Sequence, residues 1–214
     1  MNGDMLTGWW SRRLYLERVE MEIIPAILTS EVQELDLLLR QIRDSKKFER
    51  AQIDFVDGEY AGNETIKPVE CDLIGYLPLK FDAHLMVVED NILQWSKTAE
   101  KMGFDRIIAQ VESISRPEDF ACLALDIHSP VDVIKPYLPK LDLVVLMAIE
   151  PGFGGQGLDP KILEKISYLR NLRDLGHLSF LICVDGGVEK EHFEILEKMG
   201  VDEVAVGAKR VLEW

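Results

Sequence analysis

The chain has 214 residues, of which 47% are hydrophobic, and a formal net charge of -14. This length and apolar content suffice for one domain with a sizeable core, including a barrel that folds as a single unit. The acidic balance argues against nucleic acid or an anionic membrane as the main partner, because both would be repelled. Any anionic substrate would therefore have to be held locally, by backbone amides or a few cations.

The first twenty residues differ in character from the rest of the chain. They place Trp9 and Trp10 next to Arg12 and Arg13, without the apolar region or the cleavage site of a secretory signal. We interpret residues 1–20 as an N-terminal extension, either a surface helix or translated sequence ahead of the true start; a docking segment is a further alternative. Residues 21–214 are predicted to form a single domain.

The cysteines and the hydropathy pattern indicate a protein of the cytoplasm. Cys71, Cys122 and Cys183 are odd in number and far apart, outside any metal-binding spacing, which is typical of reduced thiols in a protein core. No apolar run approaches the length that a membrane span needs.

Short apolar runs typical of strands alternate with amphipathic stretches typical of helices from Glu22 onward. The predicted strands are EIIPAIL (22–28), AQIDFV (51–56), LKFDAHLMV (79–87), RIIAQVE (106–112), ACLALDI (121–127), DLVVLMAI (142–149), FLICVDG (180–186) and EVAVG (203–207). The helical stretches include EVQELDLLLRQIR (31–43), NILQWSKTAEKMG (91–103), DPKILEKISYLRNLRDLG (159–176) and KEHFEILEKMG (190–200).

Eight strands alternating with helices predict an α/β fold of the (β/α)8 TIM-barrel type. A doubly wound open sheet is the alternative, but it usually has fewer strands and a glycine-rich loop after the first, where this chain has PAILTS. Two helical units are predicted to be truncated. The fourth has only SISRPEDF (113–120) before the next strand, and the eighth has only AKRVLEW (208–214).

Several residues that could take part in catalysis or ligand binding follow different predicted strands. They are Asp54, Asp57, His84, Glu112, the EPGFGGQG loop, Asp185 and the GAK turn. Because catalytic sites of such barrels lie at the C-terminal ends of the strands, we expect these residues to converge. Taken singly, each also has a structural interpretation: His84 as a hydrogen-bonded core histidine, or Gly186-Gly187 as a tight corner between strand and helix.

Five segments together resemble a known family. IIPAILTS, IDFVDGEYAGNETI, FDAHLMVVED, DLVVLMAIEPGFGGQ and CVDGGV are similar to motifs of the ribulose-phosphate 3-epimerase family, in the same order, from about Glu22 to Ala208. The resemblance implies a TIM-barrel isomerase of the pentose phosphate pathway. Such an enzyme inverts C3 of a ketopentose 5-phosphate, converting D-ribulose 5-phosphate to D-xylulose 5-phosphate with a divalent metal at the barrel mouth.

The resemblance also implies roles for individual residues. Asp54 and Asp185 match the acid–base pair, and the same two aspartates with His84 match metal ligands for Zn, Mn, Fe or Co. Gln52 stands where the family has a second histidine ligand. As a neutral oxygen donor, it is a further candidate ligand that would lower metal affinity.

Substrate and phosphate contacts follow from the same motifs. The implied set is His84, Met147, Gly152, Gly154, Gly155, Gly186, Gly187, Gly207 and Ala208. Glycines let the backbone approach a phosphate closely. Ala208 replaces a serine that is common in the family, and Lys209 or Arg210 could supply charge instead.

Other departures from the family pattern leave alternatives open. Gln110 replaces a histidine, Ala26 a serine and Val56 a methionine. These changes motivate a second interpretation, a catalytically weakened relative that binds a sugar phosphate. A third is an epimerase for a related ketohexose 6-phosphate. A homo-oligomer is compatible with each of them.

Overall fold

The computed structural model describes residues 20–214, so the predicted N-terminal extension lies almost entirely outside the described residues. Eight parallel strands pair in chain order and close into a barrel, because β8 pairs with β1. The predicted TIM barrel is confirmed, and closure excludes the open sheet. The strands are β1 Glu22–Ile27, β2 Arg50–Val56, β3 Lys80–Met86, β4 Arg106–Gln110, β5 Cys122–Leu125, β6 Leu143–Met147, β7 Leu181–Asp185 and β8 Glu203–Gly207.

Helices surround the barrel unevenly. The α-helices are α1 Val32–Ser45, α2 Glu89–Met102, α3 Ile162–Gly176, α4 Phe193–Met199 and α5 Ala208–Val211. The fourth unit has only the 3-10 turns Val111–Ser113 and Pro117–Asp119, and the eighth has only the four residues of α5, as predicted. The second and fifth units also lack an α-helix. Their 3-10 turns are Pro68–Glu70, Ile74–Tyr76, Val131–Val133 and Leu138–Lys140.

Helix boundaries follow local chemistry. The apolar residues of α1 recur at helical spacing, and its buried face consists of Leu35, Leu38, Leu39 and Ile42. The first turn of α2 carries Glu89 and Asp90, which suit the positive end of the helix dipole, and Gly103 caps the C-terminus of the helix in a left-handed conformation. No helix in the described part of the chain is long and apolar enough to cross a membrane.

Side chains alternate between the inside and the outside of the barrel. Those pointing outward pack under the helices in the main core, whereas a second cluster fills the lumen. The lumen cluster consists of Ala26, Ile108, Cys122, Ala124, Leu143, Val145, Met147, Cys183 and Ala205. All three cysteines are buried and free, as predicted, and burial raises the pKa of each thiol.

An ionic network closes the N-terminal end of the lumen. Asp82 is fully buried and receives hydrogen bonds from Arg50 and Arg106. Arg106 also donates two hydrogen bonds of 2.9 Å to Glu203. The charges are paired across four strands, β2, β3, β4 and β8. Their mutual attraction and hydrogen bonds offset the free-energy cost of burying them. The lumen is therefore filled at this end, and the opposite end is where a cavity forms.

Candidate active site

A cavity of about 280 Å³ opens at the C-terminal ends of the strands. Ten of the residues predicted for the site line it: Asp54, Met147, Gly152, Gly154, Gly155, Asp185, Gly186, Gly187, Gly207 and Ala208. His84 and Gln52 do not line the cavity and are almost fully buried, and Asp57 and Glu112, which the sequence grouped with the site, also lie outside its lining. The fold thus brings together residues from strands that are far apart in the sequence.

Two aspartates and one histidine form a compact cluster at the cavity floor. Asp54 comes from β2, His84 from β3 and Asp185 from β7. The His84 Nδ1 atom lies 3.3 Å from Asp54 Oδ1 and 3.3 Å from Asp185 Oδ2. Two carboxylates and one imidazole are a suitable donor set for a divalent transition metal, and these three residues are close enough to hold one ion.

The electrostatics of the cluster favour proton transfer. Burial raises the pKa of Asp54 and so does the charge of Asp185, although His84 and Gln52 act in the opposite direction. Burial lowers the pKa of His84, but hydrogen bonds and charges from Asp185 and Asp54 outweigh it and raise this pKa to about 9. A raised pKa makes the Asp54 carboxylate a stronger proton acceptor, which suits a group that exchanges protons with a substrate.

Gln52 joins the two aspartates. Its Nε2 atom donates hydrogen bonds of 2.8 Å to Asp54 Oδ1 and 2.7 Å to Asp185 Oδ2. The sequence suggested that Gln52 would offer its oxygen to a metal, whereas here the amide nitrogen faces the carboxylates. In this orientation Gln52 donates hydrogen bonds to both carboxylates.

Gln110 contacts the far side of the histidine. Its Nε2 atom lies 3.0 Å from His84 Nε2, and its own Oε1 atom is buried without a hydrogen-bond partner. If the amide turned by half a rotation, Oε1 would accept a hydrogen bond from a protonated His84 Nε2. Gln110 therefore fixes the ring of His84 from β4, outside the cavity.

Glycine corners form one wall of the cavity. Gly186 and Gly187 follow β7 with φ angles of +93° and +69°, values that residues with a side chain rarely adopt. A Cβ atom on Gly187 would lie 2.4 Å from the backbone nitrogen of Leu158. The backbone of the loop after β6 can therefore approach that of the β7 loop only because residue 187 is glycine.

We expect Gly187→Ala to lower the free energy of unfolding by about 1–3 kcal/mol, the usual cost of a side chain in a strained backbone conformation. Chemical denaturation would measure the change. Gly154→Ala is the matched control, since it lies in the same wall and an added Cβ meets nothing within 4 Å. Equal stability of the two variants would contradict the close approach at residue 187.

The two cations near the cavity already have partners. Lys209 and Arg210 line the cavity, and Lys209 Nζ lies 2.6 Å from Glu34 Oε1 whereas Arg210 Nη1 lies 2.8 Å from Glu189 Oε1. The sequence suggested that one of them could supply charge to a bound phosphate. Their position favours a role at the cavity. An anionic ligand would have to compete with Glu34 and Glu189 for these two cations.

The sequence did not single out Phe153 or the contacts of its loop. Phe153 is 48% exposed, lines the cavity and lies within the PGFGGQ motif. A 2.9 Å hydrogen bond from Asn63 Nδ2 to the Gly152 carbonyl joins this loop to the loop that follows β2. The signal in the sequence was an aromatic residue within a glycine-rich motif.

Comparisons with known proteins give one family. The model of the "Ribulose-phosphate 3 epimerase family" matches residues 22–211. Ribulose-phosphate 3-epimerase of Mycobacterium leprae is 31% identical, with 73% of this chain and 74% of that protein covered. The enzyme of the same name from Bacillus subtilis is 30% identical, with 88% and 91% covered.

Solved structures support the fold. A tryptophan synthase complex from Pyrococcus furiosus aligns with a TM-score of 0.62 at 14% identity, covering 88% of each chain. Phosphoribosyl anthranilate isomerase from Thermus thermophilus aligns with a TM-score of 0.55 at 14% identity, also covering 88% of each. At this identity the likeness concerns the barrel alone.

Proposed function

Because this chain belongs to the ribulose-phosphate 3-epimerase family and is an epimerase, we propose that it interconverts D-ribulose 5-phosphate and D-xylulose 5-phosphate. The observation that carries the proposal is the pair of buried carboxylates, Asp54 and Asp185, which lie at the floor of one cavity within 3.3 Å of the same imidazole nitrogen. The proposed partner is therefore a small sugar phosphate.

Inversion at C3 requires a base on each side of the carbon. The proton next to the ketone is removed from one face, and another is returned to the opposite face. Asp54 and Asp185 belong to β2 and β7, which are separated by two strands in the closed barrel, so the two carboxylates enter the cavity from different directions. One carboxylate accepts the C3 proton, which leaves an enediolate, and the other, protonated, then donates its own proton to the opposite face of C3.

The enediolate formed between the two proton transfers is negatively charged. A divalent metal held by Asp54, His84 and Asp185 would supply positive charge beside its oxygens. His84 is held by hydrogen bonds from both sides of its ring, which keeps Nδ1 directed at the two aspartates. The identity of the metal is left to measurement, with Zn, Mn, Fe and Co as candidates.

The phosphate group would bind at the glycine-lined wall. The backbone of Gly186, Gly187 and Gly207 lies at the cavity, with Lys209 and Arg210 nearby. Glycine backbone admits a phosphate oxygen closely, and the cations compensate for the net negative charge of the protein. Anchoring the phosphate here would place the ketone end of the sugar toward the aspartates.

The direct test is proton exchange at C3. Metal-loaded protein incubated with D-ribulose 5-phosphate in heavy water should incorporate deuterium at C3 and form D-xylulose 5-phosphate, both measured by NMR. A ketohexose 6-phosphate tested in parallel identifies the preferred substrate. If a folded, metal-loaded sample gave neither exchange nor product with either sugar, the proposed reaction would be wrong.

A sugar-phosphate-binding protein without turnover is the second candidate. It is favoured by Gln52, whose amide nitrogen faces the two aspartates where the family has a histidine ligand. Binding of ribulose 5-phosphate by calorimetry without exchange at C3 would support this candidate over the enzyme.

A further inference from the structure

The side chain of Gln52 donates both of its N–H groups to the cluster of Asp54, His84 and Asp185. Gln52 is 1% exposed, and its Nε2 atom lies 2.8 Å from Asp54 Oδ1 and 2.7 Å from Asp185 Oδ2. A primary amide has two N–H donors, so one is available for each carboxylate. Both partners accept hydrogen bonds when ionised, and the amide oxygen in this place would be repelled by both. The orientation of the amide therefore follows from its partners.

The two oxygens that Gln52 contacts also face the imidazole of His84, the third residue that could hold a metal ion. Asp54 Oδ1 and Asp185 Oδ2 are the atoms that approach His84 Nδ1, and Gln52 Nε2 lies 3.4 Å from this same nitrogen. An amide nitrogen has no lone pair available for coordination. Its two N–H dipoles direct positive charge at the space between the three ligand atoms, so the amide and a cation compete there.

We propose that Gln52 is an internal competitor of the metal: its amide bridges Asp54 and Asp185 in the metal-free protein, and an ion binds only when this amide withdraws or turns. The bridge holds two like-charged residues of β2 and β7 together without a cation. Metal occupancy is then set by the balance between the ion and the amide. This inference rests on the proposed metal-assisted epimerase site.

The metal affinity of a protein variant with a shorter side chain at position 52 distinguishes a competitor from a ligand. Removing a ligand weakens binding, whereas removing a competitor strengthens it. In chelator-treated full-length protein titrated with Mn²⁺ and followed by the EPR signal of free Mn²⁺, we expect Gln52→Ala to bind at least about tenfold more tightly than the unaltered chain. Equal or weaker binding by Gln52→Ala would overturn the proposal.

Three further variants support the measurement. Gln52→His should also tighten binding at least about tenfold, because it removes the amide and adds a strong ligand. Gln52→Ser, which keeps a small polar group, takes the place of the alanine variant if that one does not fold, and the same increase is expected.

Gln110→Ala is the matched control: it removes another buried amide beside His84 that touches neither carboxylate. A similar increase in Gln110→Ala would show that loosening of the cluster is sufficient, and would contradict the proposal.

A second readout concerns the metal-free protein. Without metal, Gln52→Ala should melt at a lower temperature than the unaltered chain, because the two carboxylates lose their bridge, and saturating Mn²⁺ should raise its Tm more than that of the unaltered chain. An unchanged metal-free Tm would contradict the bridging role. Neither measurement uses a sugar, so a failure here is separate from a failure of the proposed epimerase reaction.

Discussion

Asp185→Asn and Asp54→Asn should each reduce turnover by about a hundredfold or more, the usual scale for a positioned acid or base. Asparagine keeps the size of the side chain and loses the ability to exchange a proton. Because each carboxylate serves one face of C3, each variant should also exchange deuterium into only one of the two epimers. Coupled assays of product formation, with NMR for deuterium incorporation, would measure both effects.

The control for this pair is a carboxylate at the same end of the barrel but outside the cavity. Glu112 accepts a hydrogen bond from the backbone of Asp126 and does not line the cavity. Glu112→Gln should therefore retain turnover. If a folded Asp54 or Asp185 variant kept full rate, its proposed role in proton transfer would be wrong.

Asp82→Asn should lower the free energy of unfolding by about 3–5 kcal/mol, the range observed when one partner of a buried ion pair is removed. Asp82 is fully buried and faces both Arg50 and Arg106. The substitution keeps the shape and leaves two partly buried guanidinium groups without this anion. Urea denaturation, with the midpoint and slope compared between variants, would measure the loss.

Asp119→Asn is the control for the ionic network. Asp119 pairs with Arg116 at 3.0 Å, but both side chains are largely exposed to solvent. An exposed pair contributes about 1 kcal/mol at most, so this variant should be close to the unaltered chain in stability. A loss of similar size in both variants would show that burial of the Asp82 network does not determine its contribution.

The main features of the fold could be predicted because they depend on local pattern. Each strand is a short apolar run, and α1 and α2 have helical spacing with charged or glycine ends. Residues that follow successive parallel strands must meet at one end of a barrel, which is why Asp54, His84 and Asp185 could be grouped from the sequence. The second and fifth units were harder to predict, since 3-10 turns leave no clear periodicity.

The barrel, the family and the residue types of the Asp54, His84 and Asp185 cluster could be predicted from the sequence alone, because they follow from strand pattern and motif order. How those residues contact one another could be seen only in the folded protein. Gln52 meets Asp185 across 133 positions of sequence, and Lys209 meets Glu34 across the barrel closure. Whether an amide presents its nitrogen or its oxygen depends on the charges around it, and those are fixed only when distant strands pack together.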